Sequence, residues 1–186
     1  EWIESIHQKD GIEKEKEMQM RSEAVTFITT LGMFLKLPQL TIAKAIIIFH
    51  QASKQISFKK LDRILYGSVS TFLASKLEDH PKPLKEFVKG MDYFQNVFKA
   101  EMIKNASITG YEITLEKANE DEFKNHKLEF KKQKEIEDKF RLIEIELLKL
   151  IGYDLVIELP YPFLDLLKNN PIIPHTDFLI VANNFI

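Results

Sequence analysis

Pro38-Gln39-Leu40-Thr41-Ile42-Ala43-Lys44-Ala45-Ile46-Ile47-Ile48-Phe49-His50 is the stretch whose reading decides the fold. Pro38 suits the first turn of a helix, where its missing N–H leaves no bond unmade. Ile42, Ala43, Ala45, Ile46, Ile47, Ile48 and Phe49 leave almost no polar face, so a helix here must be surrounded by others. The β-branched run also fits a strand, but its length and its helical flanks favour helix.

The flanks carry the same period. From Met18 to Leu35, the residues Ala24, Phe27, Ile28, Leu31, Phe34 and Leu35 recur at spacings of three and four, one stripe down a core-facing helix that stops at Leu37-Pro38. A third helix, from about Leu61 to Leu77, puts Leu65, Val69, Phe72 and Leu73 on one side and the small residues Gly67, Ser68, Ser70, Ala74 and Ser75 elsewhere, where they permit close approach. His80-Pro81-Lys82-Pro83 ends it, since each proline turns the residue before it away from the α conformation. A fourth helix starts near Leu84 and carries Phe87, Val88, Met91 and Phe94. Residues 99–134 read as an insertion, either partly mobile or with its second half continuing into the next helix, as the i,i+4 pairs Lys131 with Glu135 and Glu135 with Lys139 suggest. From Ile136 the stripe Phe140, Ile143, Leu147, Leu150 and Ile151 runs to Gly152, a natural cap. Tyr153 to Leu159 reads as an extended link, with further helices expected from Pro160 and from about His175. The fold class is all-α.

Composition narrows the chemistry. Of 186 residues 45% are apolar, enough for a sizeable core. The formal charge is -2, which gives no bulk attraction to nucleic acid or membrane surfaces. There is no cysteine, so disulfides, thiolate zinc sites and cysteine nucleophiles are excluded. No apolar run is long enough to span a bilayer, and the start at Glu1 together with the apolar end at Ile186 reads as a piece of a longer chain. The five histidines never fall at ligand spacings, and no glycine-rich phosphate loop or Gly-x-Ser-x-Gly elbow is present. No cofactor, metal, small-molecule substrate or catalytic residue is expected. Glu78-Asp79 reads as a solvated helix end. The lysines from Lys124 to Lys134, with Phe123 and Phe130 among them, could form a nucleic-acid patch, but Glu122, Glu129 and Glu135 weaken the local field and a solvated charged helix explains them better. Lys76, just after Phe72 and Leu73, and Glu144, between Ile143 and Leu147, sit among apolar residues; taken singly, each reads as a surface charge.

Several stretches together carry a resemblance. They are Asp10-Gly11-Ile12 with Glu17 and Arg21; Leu35 to Ala43; Phe49-His50; Phe72-Leu73-Ala74-Ser75-Lys76-Leu77-Glu78-Asp79 followed by Pro81 to Lys85; and Glu144 to Leu148 running into Ile151-Gly152-Tyr153-Asp154-Leu155. In this order they resemble a cyclin, and among cyclins the T, K and L types that serve transcription. After His50 the chain departs from the usual arginine and aromatics, having Gln51-Ala52-Ser53.

The resemblance implies a cyclin fold with one complete five-helix box and the beginning of a second. Residues 1–17 would be an N-terminal segment, 18–158 the first box with its insertion, and 159–186 the start of the second. It implies a non-catalytic nuclear subunit that binds and activates a cyclin-dependent kinase, one phosphorylating the C-terminal repeats of RNA polymerase II. Lys76 and Glu144 match the pair that meets the kinase's αC helix. Leu73, Leu77, Leu148 and Tyr153 match the apolar part of that surface, and Arg21 matches a structural arginine. The competing expectation is a cyclin-fold adaptor in transcription that binds protein or nucleic acid without activating a kinase.

Overall fold

The computed structural model describes residues 5–104, 119–157 and 159. The chain divides into two compact units, Glu1–Leu155 and Val156–Ile186. The helices expected from Pro160 and from His175 lie outside the described residues.

All regular structure among the described residues is helical: α1 (Ile6–Lys9), α2 (Lys14–Phe34), α3 (Gln39–Ser53), α4 (Arg63–Leu77), α5 (Leu84–Lys104), α6 (Glu120–Asn125) and α7 (Phe130–Leu150). The short α1 has no apolar period to announce it. It forms because Ser5 and Gln8 make a reciprocal capping box that satisfies the first free amides. α2 begins four residues before the expected Met18, with Glu15 and Glu17 in its first turn, where carboxylates favour the positive end of the helix dipole. Pro38 sits one place before the first residue of α3. At the other end of the box α5 runs past position 99, and α7 starts at Phe130 rather than Ile136, so only the end of the insertion, from Phe130, extends the last helix, while Glu120–Asn125 form a separate helix.

α4 lies at the centre, packed against α2, α3, α5 and α7. Every residue from Tyr66 to Thr71 is buried, as are Leu73, Ala74 and Ser75. Its hydroxyls are tolerated inside because most bond back to the helix's own carbonyls: Ser68 to the Ile64 oxygen at 2.9 Å, Thr71 to the Gly67 oxygen at 2.8 Å, and Ser75 to the Phe72 oxygen at 2.7 Å. These side chains then present only carbon to their neighbours. α3, read as the helix to be surrounded, buries Ile42, Ala45, Ile48 and Phe49 but leaves Leu40 exposed.

Three glycines set how closely the helices approach α2. A β-carbon on Gly32 would come within 2.6 Å of Ile42 Cγ1 on α3, one on Gly67 within 3.1 Å of Ile28 Cγ1, and one on Gly90 within 2.6 Å of Leu31 Cδ1. Helix ends are closed by left-handed residues. Lys36 (φ 56) lets the Leu37 N–H reach the Gly32 carbonyl at 2.9 Å, and Asp79 (φ 56) does the same for His80 and Ser75 at 2.9 Å.

The N-terminal segment is pinned by a polar network. His7 is fully buried and stacks on Phe58 with ring centroids 4.2 Å apart. Its Nδ1 accepts from the Phe58 N–H at 3.1 Å, which leaves the proton on Nε2 to donate to the Ser53 carbonyl at 2.8 Å. Arg21 donates to Glu17 at 2.9 Å and to the Ser53 hydroxyl at 2.6 Å, while Ser5 donates to the other Glu17 oxygen at 2.6 Å. Arg21 is thus structural, and Ser53 and buried Ala52 fill the place where the sequence departs from the pattern it resembles.

A second anchor holds the far side of the insertion. Phe123 of α6 packs edge-on against Phe34 at 4.8 Å and Tyr93 at 5.6 Å, and the Lys89 ammonium lies 4.6 Å over its ring. Asp92 of α5, nearly buried, bonds His126 at 2.8 Å and Lys132 at 2.6 Å. Burial pushes its carboxyl up, but the bonds from Lys132 and His126 outweigh this and hold it below the usual carboxylate range. Phe123 is therefore engaged in packing α6 against α2 and α5.

Two outcomes follow for stability. Gly32→Ala should cost about 1–3 kcal/mol in denaturant unfolding, and Gly90→Ala less, because the atom it meets is the free end of a leucine. Acid should weaken the fold through the histidines. Burial lowers the His7 pKa, with Arg21 adding to this and Glu17 opposing it, and burial followed by Arg21 and Lys54 lowers that of His50. The unfolded chain then takes up protons near 6.5 while the folded chain does not, so their contribution is complete above that pH and is lost as pH falls below it. Glu17 adds a further loss below 4.5, since bonds from Ser5 and Arg21 override its desolvation and depress its pKa. Unfolding midpoints at about pH 7.5 and about pH 5.5 should differ in wild type, and by less in His7→Gln, which cannot titrate.

Candidate partner-binding surface

α7 crosses α4, and two carboxylates define the crossing. Tyr66 and Lys76 are ten residues apart on α4, about 15 Å along a helix, whereas Glu144 and Glu146 are two apart, about 3 Å. Tyr66 nonetheless donates to Glu146 at 2.5 Å, and Lys76 bonds Glu144. Both contacts form only if the helices lie across one another. Phe72 fills the space between, 6.4 Å from Phe140 of α7. Burial, followed by the bond and charge of Glu146, raises the Tyr66 pKa far above its ordinary value, so this hydroxyl remains a donor.

The Lys76–Glu144 ion pair joins the last turn of α4 to the middle of α7. Its geometry is fixed by the Phe72 ring, which lies 4.5 Å below the Lys76 ammonium. The lysine side chain is 40% exposed and the glutamate 18%, so the pair lies at the surface with one face open. One N–H of the ammonium meets Glu144, leaving donors for an incoming group. The last turn of α4 is held from the other side by Lys44 of α3, which pairs with Glu78. Glu78 is thus part of the packing and not merely a solvated end.

The residues expected beside this pair divide. Leu77 and Leu148 are half-buried, with one side open. Tyr153 is 62% exposed and stands on a turn made by two consecutive left-handed residues, Gly152 (φ 67) and Tyr153 itself (φ 56). Its N–H bonds the Leu148 carbonyl at 2.8 Å and that of Gly152 bonds the Lys149 carbonyl at 3.0 Å, so Gly152 is the cap its sequence position suggested. Gln55 bonds the neighbouring Leu150 carbonyl and steadies the same turn. Leu73 is the correction. It was expected on the apolar surface but is only 3% exposed, because α4 is covered on all sides at that level and its apolar stripe is not an outer face. Arg21 belongs to the N-terminal network already described.

Sequence reasoning did not anticipate Tyr66, Glu146 or Lys44, nor the Asp92–His126–Lys132 cluster. Each joins positions far apart in the chain, and none leaves a local pattern. Among the described residues no group of three or more His, Asp or Glu could hold a metal ion, and no helix is long and apolar enough to cross a membrane.

The cyclin N-terminal domain family matches residues 2–108. The chain is 43% identical over 84 residues to Cyclin-T1-3 of Oryza sativa subsp. japonica, covering 45% of this chain and 17% of that protein. It is 46% identical over 79 residues to Cyclin-T1-5 of Arabidopsis thaliana, covering 42% of this chain and 14% of the relative. Over 79 residues it is 34% identical to Cyclin-T2 of Homo sapiens, covering 42% of this chain and 11% of the relative. The matches thus span less than a fifth of each relative's length. Cyclins as a family are regulatory rather than catalytic proteins that partner cyclin-dependent kinases. With its helical box and its match to the family over more than half its length, the chain belongs to the cyclins, and the relatives it resembles are cyclins of the T type.

Proposed function

We propose that the chain is the kinase-engaging part of a transcriptional cyclin, which binds a cyclin-dependent kinase and activates it in the nucleus toward the C-terminal repeats of RNA polymerase II. The observation that carries this reading is the open-faced Lys76–Glu144 pair, brought together from positions 68 residues apart and flanked by Leu77, Leu148 and Tyr153. A preformed, partly exposed ion pair beside apolar side chains suits a partner helix that has free carbonyls and amides at its end. The charges set register, and the apolar contacts supply most of the affinity. Activation is then a population shift: the cyclin binds the kinase better when the αC glutamate reaches the catalytic lysine, and that difference in affinity sets how far the equilibrium moves. All phosphoryl-transfer chemistry belongs to the kinase.

The backbone at Tyr153 supports the same reading. A non-glycine residue in the left-handed region costs about 1 kcal/mol or more, and an exposed aromatic there gains little from its own chain to offset it. A partner that buries the ring would.

The test uses a panel of recombinant cyclin-dependent kinase catalytic subunits, scored for binding and for phosphorylation of a C-terminal-repeat peptide. Lys76→Ala and Glu144→Ala should each weaken binding by about 30-fold or more, as expected when a charge at a buried interface loses its partner. Unfolding free energy should move by less than about 1 kcal/mol, because in the free chain this is a partly exposed surface pair. Tyr153→Gly should leave the fold as stable or more so while weakening kinase binding, a split that a purely structural tyrosine would not produce. If wild type binds none of the kinases, or binds without activating, the reading yields to the adaptor.

A further inference from the structure

Ahead of α2, only His7 and Ile12 are buried among the described residues from Ser5 to Glu13, so a titratable ring is one of the two side chains that seat the N-terminal segment. That ring fits its seat only when neutral. Nδ1 offers its lone pair to the Phe58 N–H at 3.1 Å, and a proton there would set two N–H groups face to face and leave the Phe58 amide without its acceptor. At the other edge Nε2 lies 3.0 Å from the Arg21 guanidinium, which repels an imidazolium. Two carboxylates pull the other way. Asp10 follows α1, and Glu17 of α2 lies 3.8 Å from Nε2. Glu17 is already committed, because one oxygen takes bonds from Arg21 Nε and Nη2 at 3.0 and 2.9 Å and the other takes one from Ser5 at 2.6 Å. At the end of α3, His50 lies 3.5 Å from Arg21 and Lys54 adds a positive charge, while the Lys59 ammonium of the following loop stands beside Gly11. Burial, with Arg21 beside it, outweighs Glu17, the Ser53 carbonyl and Asp10, and holds the pKa of the folded ring below its ordinary value.

We propose that His7 is a proton-operated latch: once it is charged, residues 5–12 and the turn at Phe58 leave their seat while the helical box stays folded. The release is local because the box closes without the segment. α4 is enclosed by α2, α3, α5 and α7, whereas α1 is four residues long and packs chiefly on α2. Opening brings the Ser53 carbonyl, the Phe58 amide and the Arg21–Glu17 pair into contact with water, which supplies partners in place of the ring. The acid sensitivity of the fold thus begins at this edge. The latch operates in the free chain, independent of any kinase.

Amide hydrogen exchange, followed by NMR on the full 186-residue chain, tests this. Two amides report the latch: Ile12, bonded to the His7 carbonyl at 2.9 Å, and Phe58, bonded to the His7 ring. Amides in the middle of α4 report the box. With intrinsic rates divided out, Ile12 and Phe58 should exchange faster than α4, and low concentrations of denaturant should speed α4 but not these two, the mark of a local opening. Between about pH 7.5 and about pH 5.5 their protection should fall about tenfold, the limit for one histidine that titrates near 6.5 once released. His7→Gln should abolish that fall and His50→Gln should keep it. If Ile12 and Phe58 match α4 in both level and response to denaturant, the segment unfolds only with the box and the latch is overturned. It is equally overturned if their opening ignores pH, or if His50→Gln abolishes the fall and His7→Gln keeps it. Should His7→Gln fail to fold, the wild-type ring decides through its carbon shifts: a His7 that becomes charged while both amides stay protected sinks the proposal, and one that charges only as they lose protection supports it.

Discussion

The crossing of α7 over α4 is the constraint on which the rest of this domain depends. A helix covered on every side can only be reached at its ends, and α4 is covered by α2, α3, α5 and α7. Its interior turns are enclosed, and its last turn carries the exposed Lys76. α7 brings Glu144 to it and uses Glu146 to hold Tyr66 near the other end, with Phe72 and Phe140 wedged between. Position and orientation of the open ion pair follow from how those two helices lock.

That lock in turn needs close packing beneath it. Gly32, Gly67 and Gly90 bring three helices against α2, and the hydroxyls of Ser68, Thr71 and Ser75 bond back to the carbonyls of α4 itself. Two polar clusters fasten the periphery. One joins the N-terminal segment to α2 and α3 through His7, Glu17, Arg21 and Ser53; the other joins α5 to α6 and to the start of α7 through Asp92, His126 and Lys132. In both, a buried or nearly buried ionisable group is bonded on more than one side, the condition under which such a group can be kept inside. The second cluster also fixes the helix that bears Glu144, so the insertion contributes to the surface indirectly.

Stability and recognition are thereby separated. The groups that hold the fold are enclosed, while Lys76 and Tyr153 stand at the surface and contribute little to it. An exposed tyrosine in the left-handed region mildly disfavours the free chain, a local conflict of the kind expected where a protein meets a partner.

By itself the sequence determined α2, α3, α4, α5 and α7, their order and the approximate ends of most of them, because the 3.6-residue period, the prolines at 38, 81 and 83 and the cap at Gly152 act over one or two turns; α1 and α6, short and without such a period, were not legible. It also carried enough of a family's pattern to single out Lys76, Glu144 and Tyr153. It ranked α3 above α4 as the enclosed helix, since an unbroken run of isoleucines reads as core; the small residues of α4 signalled close approach, and backbone bonding by Ser68 and Ser75 helps make them suitable for an interior. The family pattern placed Leu73 on an outer surface, whereas the neighbours of α4 enclose it. Which charges meet was decided by tertiary structure alone. Lys76 with Glu144, Tyr66 with Glu146 and Asp92 with His126 are joined by helix crossings, and nothing in the local sequence at either end of such a pair encodes the distance between them.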